Sequence, residues 1–264
     1  MTSTWKFGST DLTSLGAYNV INFEDAQGMP KHRGDNPVIP LREGRLFVKK
    51  IFDQRPYGLG MYIKGSSRTD FESKMDTFRK LFGQGNQQFL QRTMADGSVR
   101  KAAAEVTKYD VSQKSNRYAR VTVDFLLDKP FFRSTVATSD TQTIDSNPKT
   151  YTLTNPGTAE DRSAVITFTG PLSYPKLTNL ITDPVTGLAA NVWVGYTGAL
   201  TAGQTVVIDV VAGTCLFNGA NALNQLIHSG DVYFMVLKSG ANSMKVESSV
   251  TGGTVKVEFY APYF

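Results

Sequence analysis

The chain has 264 residues, of which 41% are hydrophobic and 19% charged, with a net charge of +5. That length holds one large domain or two ordinary ones, each able to bury a core. The one cysteine, Cys215, excludes an intrachain disulfide, and no apolar run reaches the roughly 18–20 residues of a membrane-spanning helix.

Charge is divided unevenly along the chain. Residues 1–133 carry 22 Lys and Arg against 14 Asp and Glu, whereas residues 134–264 carry 6 against 9. A basic first half and a mildly acidic second half indicate two modules in different surroundings. Sixteen Phe and eleven Tyr, among many Thr and Val, lean both halves toward β-structure. The opening residues lack the apolar centre of a signal peptide, so synthesis and folding in the cytosol are expected.

In chain order, residues 18–23 read as a strand and 28–40, with Pro30, Gly34, Asp35 and Pro37, as a long loop. Residues 45–52 and 57–64 read as the two arms of a hairpin. Its tip is Asp53, Gln54, Arg55, Pro56 and Tyr57, a mixture of charge, rigid proline and aromatic ring suited to gripping a neighbouring subunit. Thr69 and Glu72 have the spacing of a capping box, and Phe71, Met75, Phe78 and Phe82 follow as one apolar helical stripe. Gly83 suits the left-handed residue that ends such a helix. Strands are expected at 88–93, 103–109 and 119–127, with Asp96 and Gly97 as a hairpin turn.

The stretch 118–133 organises the whole. Val121, Val123 and Phe125 alternate with Arg120, Thr122 and Asp124, as in a strand with one wet and one buried face. Pro130 cannot donate to a ladder, which ends the strand near Asp128. Residues 134–149, rich in Ser, Thr and Asp, read as a linker. The expected first domain is therefore 1–133, a β-barrel or curled sheet with one helix across it.

Residues 150–264 show no helical period. Short runs at 150–154, 164–169, 176–180, 191–196, 205–210, 214–217, 233–237, 244–248 and 254–260 alternate with Gly, Pro and Asn turns. Such spacing indicates an antiparallel β-sandwich of jelly-roll or galectin-like kind, so the fold class is all-β with one helix.

Catalytic chemistry is sparse. His32 and His228 lie in different halves, Cys215 sits in a β-run, and Glu24-Asp25 and Glu160-Asp161 are adjacent acids whose side chains diverge in extended chain. No metal site, phosphate loop or cofactor is indicated, and the chain is expected not to be an enzyme. Two binding signals remain. Trp193, with Asn191 nearby, and Tyr196 have the chemistry of a sugar platform, but being three apart Trp193 and Tyr196 face opposite sides, so at least one belongs to the core. The basic residues Lys49, Lys50, Arg55, Arg79, Lys80, Arg100 and Lys101 are scattered over a hairpin, a helix and a loop, which suits solvated surface or subunit contact better than nucleic acid.

The second half resembles the C-terminal domain of siphophage distal tail proteins. The resemblance lies in an ordered set of segments: Asn155-Pro156-Gly157, then 164–170, then 175–179 with Asn179, then 203–209, 214–219 and 233–242 with Asn242, and a last strand running into Pro262-Tyr263-Phe264. It departs from the family at Ala164 and Ser239, where proline is frequent. The first half is similar only in outline: a hairpin, a helix and a strand ending in Lys129-Pro130-Phe131-Phe132. The resemblance implies a virion structural protein at the distal end of a long non-contractile tail. Its N-terminal domains would close a homo-hexameric ring joining tail tube to tail tip or baseplate, with the sandwiches projecting outward. The implied partners are tail tube and tail tip proteins, with DNA only passing through the lumen, no membrane insertion, and assembly in the host cytoplasm. The alternative is a carbohydrate-binding adhesin module with host surface polysaccharide as its ligand, and a weaker third is an enzyme of unknown type.

Overall fold

The computed structural model describes residues 4–13, 17–21, 30–33, 51–183, 187–229 and 235–264. They form two compact units, Met1–Thr135 with Phe264, and Val136–Tyr263. Each is mostly β, and the described residues include one long helix, as composition and periodicities led us to expect.

The first unit contains β1 (Thr4–Phe7), β2 (Thr10–Asp11), β3 (Ala17–Ile21), β4 (His32–Arg33), β5 (Ile51–Phe52), β6 (Arg55–Lys64), α1 (Arg68–Phe82), β7 (Gln88–Thr93), β8 (Val99–Ser115), β9 (Tyr118–Leu127) and β10 (Phe132–Ser134). Its principal sheet runs β2-β1-β7-β8-β9-β6-β3 and is curled rather than closed. The period-2 pattern of β9 holds: Val121, Val123 and Phe125 are buried, Arg120 is exposed, and the strand stops at Leu127. β6 is in phase with it, with Tyr57, Leu59, Met61 and Ile63 on the same core face. Helix α1 closes that core with Phe71, Met75, Phe78 and Phe82, the stripe read from the sequence. Aromatic rings fill the space between, Phe82 lying 5.6 Å from Phe7 and 6.1 Å from Phe125. The β7–β8 turn is made at Asp96 and Gly97, where a φ of 82° calls for glycine and the Asp96 carboxylate accepts the Ser98 N–H at 2.9 Å.

Three local expectations are corrected. The helix begins two residues earlier than the Thr69 box implies: Ser67 is the cap, its hydroxyl accepting the Asp70 N–H at 3.1 Å. Asp70 in turn accepts the Ser66 N–H at 2.7 Å and the Lys74 ammonium at 2.9 Å, while Glu72 pairs with Arg68. Two overlapping Ser/Thr-x-x-acid patterns were available, and the earlier one adds helical residues and places its acid beside both Ser66 and Lys74. Gly83 has φ −84°, so it ends the helix in right-handed geometry by donating to the Arg79 carbonyl at 2.8 Å. The hairpin pairing expected of 45–52 with 57–64 is not made by the described part of its first arm: β5 pairs with β4, and β6 lies between β9 and β3. Residues 45–50, and most of the loop expected at 28–40, lie outside the described residues.

The second unit contains β11 (Thr138–Thr143), β12 (Lys149–Asn155), β13 (Val165–Thr169), β14 (Leu172–Ser173), β15 (Lys176–Asn179), β16 (Val192–Tyr196), β17 (Ala199–Leu200), β18 (Thr205–Asp209), β19 (Thr214–Phe217), β20 (Ala220–Asn221), β21 (Leu226–His228), β22 (Gly240–Glu247) and β23 (Thr254–Phe259). One sheet is ordered β11-β23-β13-β18-β19-β20, the other β12-β22-β15-β16-β21, and β14 pairs with β17 as a short ribbon. Ile166, Phe168, Ile208, Val255 and Val257 on the first sheet and Leu177, Val194, Met244 and Val246 on the second are fully buried in one core. This is the expected antiparallel sandwich. The supposed linker is not one. Its residues 138–143 pair along all of β23, and Ile144 is fully buried in the sandwich core. A strand reading Thr-Ser-Asp-Thr-Gln-Thr carries no apolar face, which hid it. Of the strand expected at 233–237, residues 233 and 234 lie outside the described residues, and Leu237 makes a single bridge with Asp161.

Candidate functional site

In the first unit, β8 is the element with spare bonding capacity. Its 17 residues outrun their neighbours. β7 pairs with its first part, from Val99 to Ala104, and β10 with Arg100 and Lys101. From Ala104 onward β9 covers one edge. Over residues 105–114 the opposite edge has no paired strand among the described residues. The core-side row along this edge ends in partly exposed groups: Val106 and Tyr109 are half-buried and Val111 is 38% exposed, beside a fully buried Val121. The Tyr109 hydroxyl is buried without a hydrogen-bond partner, and burial pushes its pKa up against the pull of Arg79. A further strand laid here would satisfy backbone groups and cover Val111 together. Sequence reading took this strand as 103–109 and so missed the edge. The signal available was the β-prone Thr107, Tyr109 and Val111 running on past it.

The hairpin-tip residues do not act as one group. β6 begins at Arg55, and its alternation turns Arg55 and Tyr57 into the unit's own core, 3% and 1% exposed, leaving Asp53, Gln54 and Pro56 outside. Tyr57 packs against Trp5 at 5.6 Å and Phe132 at 5.4 Å. Burial raises its pKa to about 12, partly opposed by Arg92 and Arg55.

On the sandwich, Tyr196 is the core residue, stacked on Phe217 at 6.2 Å, and Trp193 is half-buried on the opposite side of the sheet. Trp193 stands between Thr178 and Ser229, and the Lys176 ammonium sits 4.5 Å from its ring centre. One ring face is therefore already occupied by a cation. Asn191 is exposed but spends its carbonyl oxygen on the Ile181 N–H at 3.0 Å. The two do not form an open platform. Among the described residues no three His, Cys, Asp or Glu come together to hold a metal ion.

What the second unit does assemble is a buried amide network. Asn242 accepts the Lys238 N–H at 2.8 Å and the Asn179 amide at 3.0 Å, and donates to the carbonyls of Lys238 and Gly240. Asn179 also donates to Val236 at 2.8 Å, and Asn155 holds Ala159 and Gly157. All three asparagines fall in the segments that carry the family resemblance.

Comparison with known proteins agrees with that placement. Residues 156–263 match the family model for the siphovirus-type tail component, C-terminal domain. That match spans most of the second unit and less than half of the chain. The fold of the whole chain is similar to that of SPP1 Dit (gp 19.1), from a phage infecting Gram-positive bacteria, whose crystal structure matches with a TM-score of 0.70 at 12% identity over 98% of this chain and 99% of that one. Two structures of the phage P2 baseplate in its activated conformation, with calcium and with strontium, align over the full length of both chains at 11% identity and a TM-score of 0.41, a likeness too loose to bear on the fold. No curated protein matches. The chain shares the fold of SPP1 Dit over nearly its whole length, and its second unit carries the match to the tail-component model.

Proposed function

We propose that this chain is a siphophage tail component, the hub at the distal end of the tail, a homo-hexameric ring of first units joining the tail tube to the tail tip or baseplate. SPP1 Dit is described as a paradigm of hub adsorption apparatus, and the shared fold supports carrying that role here. The observation that carries the ring is the edge of β8 over residues 105–114, which has no paired strand among the described residues. β8, β9, β6 and β3 are four successive antiparallel strands, so β8 and β3 run in opposite directions at the two ends of the set. A rotation that brings β3 of the next copy alongside β8 therefore makes an antiparallel seam, and every repeat makes the same one. Such a contact joins two different patches and closes by rotation, as rings require. Asp53, Gln54 and Pro56 are placed outside the unit's core to add a second contact. Tail tube and tail tip proteins are the axial partners, DNA uses the lumen only in transit, and the subunits assemble in the host cytoplasm before joining the virion tail.

The test is Thr107→Lys with Val111→Lys, which sets two like charges into each seam. Mass photometry and negative-stain images of the wild type should show six-copy annuli. The double variant should be monomeric with its melting profile little changed. Annuli that survive the substitutions would move the seam elsewhere, and a wild type that stays monomeric at all concentrations would sink the ring.

A further inference from the structure

Where β1, β7, β8 and β10 lie side by side, the first unit gathers positive charge that looked scattered along the chain. Trp5, Phe7, Leu90, Ala102 and Phe132 are buried on these strands, so the residues alternating with them face away from the core. Register sets Lys6 opposite Gln91, Gln91 opposite Lys101, and Lys101 opposite Arg133. Neighbouring strands are about 4.8 Å apart, so the four side chains form one row across the outer face. Arg92 and Arg100 stand opposite each other on the other side of the same strands, with the Arg92 guanidinium 5.4 Å from the Trp5 ring centre. Arg100 and Lys101, read from the sequence as loop residues, are thus strand residues.

Nearby acids offset little of this charge. Asp96 is the only acid between residues 88 and 104, and its carboxylate already accepts the Ser98 hydroxyl at 2.7 Å and N–H at 2.9 Å. Asp11 stands opposite Lys6 at the end of the row and accepts the Thr13 N–H at 2.8 Å. Like charges directly opposite, as at Lys101 and Arg133, work against sheet pairing. Packing of the core does not account for the row, whose members point away from it. Phe89 on the same face is 48% exposed, and the Lys101 ammonium covers one side of its ring at 4.8 Å from the centre.

We propose that the row Lys6, Gln91, Lys101 and Arg133 is a docking face for an acidic, extended segment of a neighbouring tail protein. The proposal rests on the hub reading for the neighbour's presence and adds the chemistry that recognises it. Charge complementarity selects the occupant. Carboxylates on one side of an extended chain recur about every 7 Å, within reach of lysine and arginine heads set one or two strands apart. Gln91, between the cations, can donate to and accept from the segment's backbone amides. Nucleic acid fits less well, because Phe89 has one ring face taken by Lys101 and offers bases little to stack on. The row lies outside residues 105–114, so docking and ring closure use different parts of β8.

The experiment uses the full-length protein with fluorescein-labelled oligoglutamate as the probe and an oligothymidylate of equal charge beside it. Oligoglutamate should bind at about 50 mM salt and weaken at least about tenfold at about 500 mM, where screening is strong. Lys6→Gln with Lys101→Glu should lose at least about tenfold in affinity with the melting profile kept. Lys101→Arg, which keeps the charge, should bind as the wild type does. Lys64→Gln with Lys80→Glu, an equal charge change at exposed positions elsewhere in the unit, should also bind normally. The assignment fails if oligoglutamate does not bind, if the row variant binds as the wild type does, or if the control pair weakens binding equally. Tighter binding of the oligothymidylate, lost in the same row variant, would overturn it in favour of nucleic acid. Copy number read from the same samples keeps the two proposals apart. Annuli that ignore the probe sink the docking face alone, and monomers that bind it sink the ring alone.

Discussion

The two units reach a single packed core by different means. The first relies on bulk: a helix stripe of Phe71, Met75, Phe78 and Phe82 is pressed onto a sheet whose inner face adds Phe7, Tyr57 and Phe125. Any one of those rings fills space that nothing else can reach. The second relies on address. Its core is mostly aliphatic and divided over many short strands, and buried asparagines tie the intervening loops in place. The difference teaches where each unit is fragile: at a large apolar side chain in one, at a small polar one in the other.

Removing a ring should separate them most sharply. Phe78 is fully buried on α1, and Phe78→Ala is expected to destabilise the first unit by about 3–5 kcal/mol. Calorimetry should show two transitions, with the lower one belonging to the first unit and the sandwich transition unmoved. A single transition that shifts as a whole would mean the two cores are one cooperative body.

The converse substitution is Asn242→Leu, close in size and free of helix or glycine effects. It strands the Lys238 N–H and removes the donors held by Lys238 and Gly240, so a loss of roughly 2–3 kcal/mol is expected in the second unit alone. The same exchange in an ordinary apolar core site would be neutral or better. Urea melts followed by second-unit and first-unit tryptophans, Trp193 and Trp5, separate the responses. Equal loss at both probes would show that the network does not act locally.

Much of this contrast was legible beforehand, and the reasons are physical. A stripe of Phe and Met at helical spacing, or Val-x-Val-x-Phe in β9, declares its buried face because burial is what those residues are for. β11 declared nothing: an edge strand of Thr, Ser, Asp and Gln pairs through its backbone alone, and side chains say little about backbone bonds. The free edge of β8 was hidden for the same reason, since it is defined by where β7 stops. Asn155 was visible as a turn residue and Asn179 as a strand residue, but their convergence with Asn242 comes from segments far apart in the chain. Arg55 and Tyr57 misled because charge beside proline imitates a turn, whereas one more residue of β6 reverses which way both point.

The smallest effect discriminates between two readings of one helix end. Ser67 and Thr69 both stand three residues before an acid, and sequence alone favours neither. In the structure only the Ser67 hydroxyl accepts an orphan helix N–H, so Ser67→Ala should lower the first unit's stability by about 1 kcal/mol, and Thr69→Ala, an exposed change in the first turn, should stay near zero. The acid supplies an independent check. The Ser66 N–H and Lys74 hold the Asp70 carboxyl down to about 2, well below the ordinary value near 4. A lowered carboxylate pKa stabilises the fold above its unfolded value and gives that help up as pH falls through the folded one. The first unit should therefore soften between about pH 4 and pH 2 more in wild type than in Asp70→Asn. Melting curves of the three single variants over that range measure it, and a larger loss at Thr69→Ala than at Ser67→Ala would return the cap to the later box.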